Sequence, residues 1–233
     1  MKLPCKDIHN HLLPGVDDGF RHTEDSLCAI EKMAEAGVKE FVFTPHINPD
    51  IYPDVDESRL KNVYESFTKA IPERWGIRTA LAAEYMVTNG FERRIEQPDG
   101  LLCWPDGSIL IEMSYLFKSE NIEQAVFELV MAGFQPILAH PERYLYLSAD
   151  LGWFEHIKDM GCRLQLNCFS LSGCYGSSSM KILTHLLKHN MYDYIATDLH
   201  TLEQLQNIQG LRLGRKLSRH TKRLLDLVAI NTE

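Results

Sequence analysis

The chain has 233 residues, 45% hydrophobic and 24% charged, an ordinary composition for one domain with a sizeable core. Its formal charge is −8 with no long run of Lys or Arg, which argues against a nucleic-acid partner. No apolar run approaches the roughly 20 residues of a membrane-crossing helix. The start, MKLPCKDIHN, lacks a signal peptide's apolar segment. A cytoplasmic protein without membrane insertion is expected.

In chain order, short apolar runs alternate with helical patterns. Strands are predicted over Asp7–Leu12, Glu40–Pro45, Thr79–Glu84, Ile109–Met113, Pro136–Ala139, Arg163–Asn167 and Tyr194–Thr197. Helices are predicted near Glu24–Ala36, Glu57–Ile71, Ile122–Ala132, Trp153–Met160 and Ser179–His189. Trp104-Pro105-Asp106-Gly107 is a turn signal and predicts a small hairpin ahead of the fourth strand. The tail after Gly210 reads as a closing helix, with Arg212 to Arg223 on its solvated face. This alternation predicts parallel strands joined by crossover helices. One domain, residues 1–233, with a TIM-like α/β barrel is expected, because ligand-type residues fall at the C-terminal ends of the strands. The six cysteines form no CxxC pair and are expected to be reduced thiols.

The ligand-type residues are His9, His11, Asp18, His46, Glu84, Glu112, His140, Asp198 and His200. His9-Asn10-His11 places two imidazoles on one side of an extended segment. Asp198-Leu199-His200 repeats that spacing after another apolar run. Glu84 ends TALAAE and Glu112 ends SILIE; buried carboxylates need a partner or a metal. His46 ends VFTPH and His140 ends PILAH. Any one of these is explained by packing or capping, but six strand ends together point to a metal site. In the loop Pro14–Gly19, at least one of Asp17 and Asp18 could serve only the turn. The thiol-free set suits Mn, Fe, Zn or Mg and disfavours a structural zinc site.

The combination DIHNHLLPGVDDG (7–19), TPH (44–46), LAHPER (138–143), FSLSGCYG (169–176) and ATDLH (196–200) resembles the PHP (polymerase and histidinol phosphatase) superfamily. Within it, the chain most resembles the CpsB/YwqE group of bacterial manganese-dependent tyrosine-protein phosphatases. The resemblance implies a distorted seven-stranded barrel holding three divalent cations, most often Mn2+. Carried over, one cation is held by His9, His11, Glu84 and Asp198. A second shares Glu84 and adds Glu112 and His140, and a third takes Asp18, His46 and His200. Arg143, His46 and His200 are then the expected catalytic residues, with Arg143 and Arg21 on the substrate phosphate.

The implied substrate is a phosphotyrosine-bearing protein, such as the tail of a bacterial tyrosine kinase controlling capsule or exopolysaccharide synthesis. Hydrolysis by metal-activated hydroxide is implied. The alternatives are a small-molecule phosphomonoesterase, for instance on histidinol phosphate, and a non-catalytic subunit that binds a kinase tail. Two positions depart from the group: Ile47 stands where a second His often follows TPH, and Thr201–Gln209 contains no Arg. Arg21 or Arg212 is the expected substitute. No cysteine is followed six residues later by Arg, so a cysteine-phosphatase cradle is absent, and no GxSxG, GxxxxGK or GxGxxG occurs.

Overall fold

The computed structural model describes residues 1–96 and 100–230, with side chains to 226. Nine short parallel strands are present: β1 (Lys6–Asp7), β2 (Glu40–Phe43), β3 (His46–Ile47), β4 (Arg78–Leu81), β5 (Glu84–Met86), β6 (Ser108–Glu112), β7 (Gln135–Ala139), β8 (Arg163–Asn167) and β9 (Tyr194–Ala196). They pair as β1-β2-β4 and β3-β5-β6-β7-β8-β9. Two predicted strands are therefore each broken in two. Pro45 has no N–H to donate, so the second strand breaks there into β2 and β3. The register nonetheless runs through. Phe43 pairs with Leu81 and His46 with Glu84, and the Ala82 and Glu84 amides donate to the Phe43 and Pro45 carbonyls at 2.9 and 3.0 Å. The two sheets thus form one wall of seven strand segments.

The wall closes between its first and last segments. Beyond the ends of β1 and β9, Asn10 and Leu199 form a single parallel bridge. The Asp198 amide donates to the His9 carbonyl at 2.8 Å, and the His11 amide donates to Leu199 at 3.0 Å. Buried Asp7 reinforces this seam, accepting from the Thr197 amide and hydroxyl at 2.9 and 2.7 Å and from Asn10 at 3.1 Å. Asn10 also donates to the Val42 carbonyl at 3.1 Å, tying three strand segments together.

Helices α1 (Thr23–Glu35), α2 (Glu57–Thr68), α3 (Glu92–Ile95), α4 (Ile122–Met131), α5 (Trp153–Asp159), α6 (Gly176–Lys188), α7 (Leu202–Gly210) and α8 (Arg215–Ile230) complete the fold. The main apolar core includes their buried faces, among them Ile30, Leu60, Leu129, Phe154, Leu183 and Leu205. A second, smaller cluster of Ile8, Val42, Ala82, Leu110, Ile137, Ala139 and Ala196 fills the barrel, with Trp104 beneath it against Tyr194. Trp104–Gly107 is a turn, as its residues require, but among the described residues no strand lies between α3 and it to make a hairpin; the Trp104 amide donates directly to the Ser108 carbonyl. The prediction overlooked α7, whose capping box pairs Thr201 with Gln204. None of the described helices is long and apolar enough to cross a membrane.

Candidate metal centre

The apolar filling of the barrel sets the site by simple alternation. Inward-facing Ala82, Leu110 and Ala196 are each followed two residues later, on the same face, by Glu84, Glu112 and Asp198. His140 follows inward-facing Ala139 directly, which alternation forbids. Its left-handed backbone, φ 33°, breaks the alternation. Asp198 is also left-handed, at φ 50°. His9 and His11 lie just past β1 rather than on it, flanking bridged Asn10 as Asp198 and His200 flank Leu199. The ligand pairs at the two ends of the chain thus meet across the seam.

All nine predicted residues converge. The Nε2 atoms of His9 and His11 lie 3.3 Å apart. Each is 3.2–3.4 Å from Glu84 Oε2 and 3.3–3.4 Å from Asp198 Oδ1. Ligands about 2.0–2.2 Å from one cation stand about 3.3–3.6 Å apart in a tetrahedral shell, a spacing that the His9, His11 and Glu84 atoms match. His140 Nε2 lies 3.1 Å from the other Glu84 oxygen and 4.0 Å from Glu112. Asp18 Oδ1 is 3.4 Å from His46 Nε2 and 3.5 Å from His200 Nε2. His46 Nδ1 sits 2.9 Å from Glu112 and 3.1 Å from Glu84. Glu84 Oε2 and His46 Nδ1 are buried without hydrogen-bond geometry to any partner, the arrangement expected of atoms aimed at a common ion. The donor set is all nitrogen and oxygen, which suits a borderline or hard divalent cation.

The electrostatics agree. Burial opposes charge on His9, His11 and His46, yet the carboxylates around them prevail and raise all three above the ordinary imidazole value. Burial likewise opposes charge on Glu84 and Asp198, and the surrounding imidazoles hold both well below the usual carboxylate range. Dense opposite charge with little water is what a cation-binding cage requires.

Sequence reasoning missed the residues that aim the ligands. Asp17 accepts from His11 Nδ1 at 2.8 Å and from the His46 and Gly19 amides at 3.0 and 2.9 Å. Gln165 meets His9 Nδ1 at 2.8 Å, and Asn167 donates to Asp198 at 2.6 Å. Such contacts fix the ring and leave the other nitrogen for metal. A signal was available: Gln165, fully buried, stands between Leu164 and Leu166 in β8 and shares their strand with Asn167. Gly19 keeps the Asp17 loop close, since a Cβ there would lie 2.2 Å from the His11 carbonyl oxygen. Replacing Asp17 by Asn is expected to weaken metal binding about 10–100-fold while leaving the fold intact, as outer-shell changes do. Metal titration with circular dichroism checks this; unchanged affinity would remove Asp17 from the site.

Arg143 reaches the rim. It donates to Asp198 Oδ2 at 2.9 Å and lies 4.2 and 4.8 Å from the ring centres of Tyr115 and Tyr175. Its neighbour Glu142 turns away, accepting from the Asn167 amide at 3.0 Å and from Tyr192 at 2.8 Å. Arg21 is exposed in the loop before α1, without an ion pair among the described residues. Arg212 cannot substitute for it. Its neighbours Leu211 and Leu213 pack beside Met1–Cys5, at the opposite end of the barrel from the cluster. A groove of about 1070 Å³ opens from Asp18, His46 and Glu112 past Tyr52 and Tyr115 to Leu116 and Phe117.

A closed parallel barrel with clustered imidazoles and carboxylates at the C-terminal strand ends defines an α/β-barrel protein with a metal-type centre. The chain belongs to the capsular polysaccharide synthesis CpsB/CapC family, whose model matches residues 5–209. It is 24% identical over 197 residues to the tyrosine-protein phosphatase YwqE of Bacillus subtilis, covering 84% of this chain and 78% of that protein. It is 25% identical over 202 residues to the tyrosine-protein phosphatase CpsB of Streptococcus pneumoniae, covering 84% and 83%. Crystal structures of YwqE from B. subtilis and CpsB from S. pneumoniae, described as metal-dependent tyrosine phosphatases, include a match with TM-score 0.71 at 24% identity, over 95% of this chain and 94% of that one. The Listeria monocytogenes lactonase Lmo2620 shares the fold more distantly, at 11% identity and TM-score 0.52 over 86% and 79% of the two chains.

Proposed function

We propose that this protein is a metal-dependent phosphatase of phosphotyrosine-bearing proteins, in which the whole chain acts as one metallophosphatase domain. The observation that carries the reading is the cluster itself: nine ligand-type side chains, of which Asp18, His46 and Glu112 line an open groove, with the Arg143 guanidinium hydrogen-bonded to Asp198. The relatives named for tyrosine phosphatase activity support it. A protein tyrosine kinase of capsule synthesis is the proposed physiological substrate, in keeping with the family.

His9, His11, Glu84 and Asp198 would hold one cation, Glu84, Glu112 and His140 a second, and Asp18, His46 and His200 a third; manganese is the proposed metal. When bound, such cations lower the pKa of water and neutralise phosphoryl charge. The chain's own groups do the rest. Asp18, with a side chain 57% exposed, and partly exposed His46 border the groove, with partly exposed His200 beside Asp18, and a phosphate would enter there. Arg143, flanked by two tyrosine rings and fixed by Asp198, presents a planar fork to phosphate oxygens. Tyr52 and Tyr115 line the groove beside Asp18 and His46, where a phenyl ring could pack, and phenolate leaves more readily than alkoxide. The open groove accommodates a polypeptide on either side of the ring.

The test is turnover by the manganese-loaded protein on phosphotyrosine peptide, phosphoserine peptide and histidinol phosphate. Phosphotyrosine is expected to be preferred; a preference for histidinol phosphate would move the protein to the small-molecule class, and no turnover on any would overturn the reading. Arg143→Ala is expected to lower kcat/KM on phosphotyrosine peptide about 10–1000-fold. Because Arg143 also neutralises Asp198, melting temperature should fall modestly as well. Arg143→Lys should restore part of the rate, since an ammonium cannot make a two-pronged contact. Wild-type kinetics in Arg143→Ala would leave the phosphate to another group, with Arg21 the next to test.

A further inference from the structure

Helix α8 and the three residues before it carry a concentration of charge that the site does not use. Arg212, Arg215, Lys216, Arg219, Lys222 and Arg223 are all exposed. No Asp or Glu lies between Gln204 and Leu225. None of the six forms an ion pair among the described residues; Arg223 reaches only the Asn190 side-chain oxygen. Removing these six from the count would take the chain from −8 to −14, so an acidic protein keeps its largest basic surface in twelve residues.

The arrangement is a stripe. At 3.6 residues per turn, positions 215, 216, 219, 222 and 223 of α8 fall within about 120° of one another, and Arg212 lies just before the helix. Buried Thr221 and Leu224 and half-buried Leu217 and Leu225 lie on the opposite side and pack on the barrel. Like charges three and four residues apart cost a helix about 0.2–0.5 kcal/mol per pair. A stripe that destabilises its own helix, and whose acidic neighbour on that face, Asp226, makes no ion pair with it among the described residues, is suited to an external anionic surface.

Its position is equally informative. Met1–Cys5 and Leu187–Tyr192 precede β1 and β9, and both segments line clefts against α8. The strands are parallel, so α8 lies at their N-terminal ends while the metal-type cluster lies at their C-terminal ends. Contact through α8 would therefore leave the groove facing away from whatever α8 touches.

We propose that the α8 stripe docks the protein on an anionic lipid bilayer surface, electrostatically and without insertion. Among the described residues, the apolar side of α8 packs on the fold and the cationic side is exposed. Between residues 201 and 230 there is no Phe, Tyr or Trp, so the stacking platforms of a single-strand nucleic-acid site are absent. Long flexible cationic side chains in a row match the diffuse negative potential of anionic headgroups, to which each adds about 1 kcal/mol, or about fivefold.

The test is cosedimentation of the full chain with phosphatidylcholine vesicles, alone or mixed with phosphatidylglycerol, across salt. Binding is expected only with phosphatidylglycerol and should fall steeply as salt rises. R215Q/R219Q/R223Q should weaken it at least tenfold, whereas R215K/R219K/R223K should bind nearly as the wild type does. Both variants should keep wild-type circular dichroism and soluble-substrate turnover, which separates this result from any failure of the catalytic reading. Absence of binding to phosphatidylglycerol vesicles, or equal binding by the glutamine variant, would overturn the proposal. So would salt-sensitive binding to polyglutamate or polyuridine with none to vesicles, which would assign the stripe to an acidic polypeptide or to RNA.

Discussion

Glu84→Ala is expected to lower turnover by at least ~100-fold and to reduce bound metal, because the lost carboxylate sits where the predicted ligand sets meet. One Glu84 oxygen lies within 3.4 Å of His9, His11 and His46, and the other lies 3.1 Å from His140. No other side chain in the cluster touches four imidazoles. A fully buried carboxylate that is removed leaves its partners uncompensated, a loss typically worth about 3–5 kcal/mol for a buried pair. Some imidazoles will shed protons and soften that cost in the metal-free state. Glu84→Gln separates volume from charge: the amide fits the space but cannot hold cations as a carboxylate does. Elemental analysis of both purified variants, alongside turnover, checks the prediction. Full metal content with wild-type rate in either variant would remove Glu84 from the centre.

Removing metal should abolish activity, and manganese should restore it. The folded chain brings the nine ligands together and the unfolded chain does not, so bound cations favour the folded state. At free metal a thousandfold above its Kd the gain is about 4 kcal/mol, which for a chain of this size is on the order of 10 °C in melting temperature. Chelation followed by scanning calorimetry should show a fall of that size, and manganese should reverse it. A near-normal rate after dialysis against chelator, with metal loss verified, would sink the proposed chemistry.

The parts that could be read from the sequence share a cause. Glu84 and Glu112 were visible because ionisable residues closing apolar strands have few structural explanations. The seven-segment barrel followed from alternating runs, and the predicted helices lie within a few residues of α1, α2, α4, α5 and α6. What stayed hidden depends on distant contacts. Nothing local says that Asp17 turns inward to His11 while Asp18 faces the groove, because both suit the same turn. The division of the second strand at Pro45 is a single missing donor inside a run that reads as continuous. The pairing of Arg143 with Asp198 rather than Glu142 joins residues 55 apart in sequence. Helix α7 was short and weakly apolar, and only its cap marked it.

The barrel's closure gives the protein an order of assembly. A ribosome releases His9 and His11 well before Asp198 and His200. Asp7 and Thr197, which clasp the closing strands, are separated by 190 residues. Until the last strand arrives, the first imidazole pair lacks the partner bridge that positions it, and the four-atom set of His9, His11, Glu84 and Asp198 does not exist. An incomplete or clipped chain is thereby denied a full complement of cations. On the proposed reading, metal loading waits for the last strand and for Asp198 and His200 just beyond it.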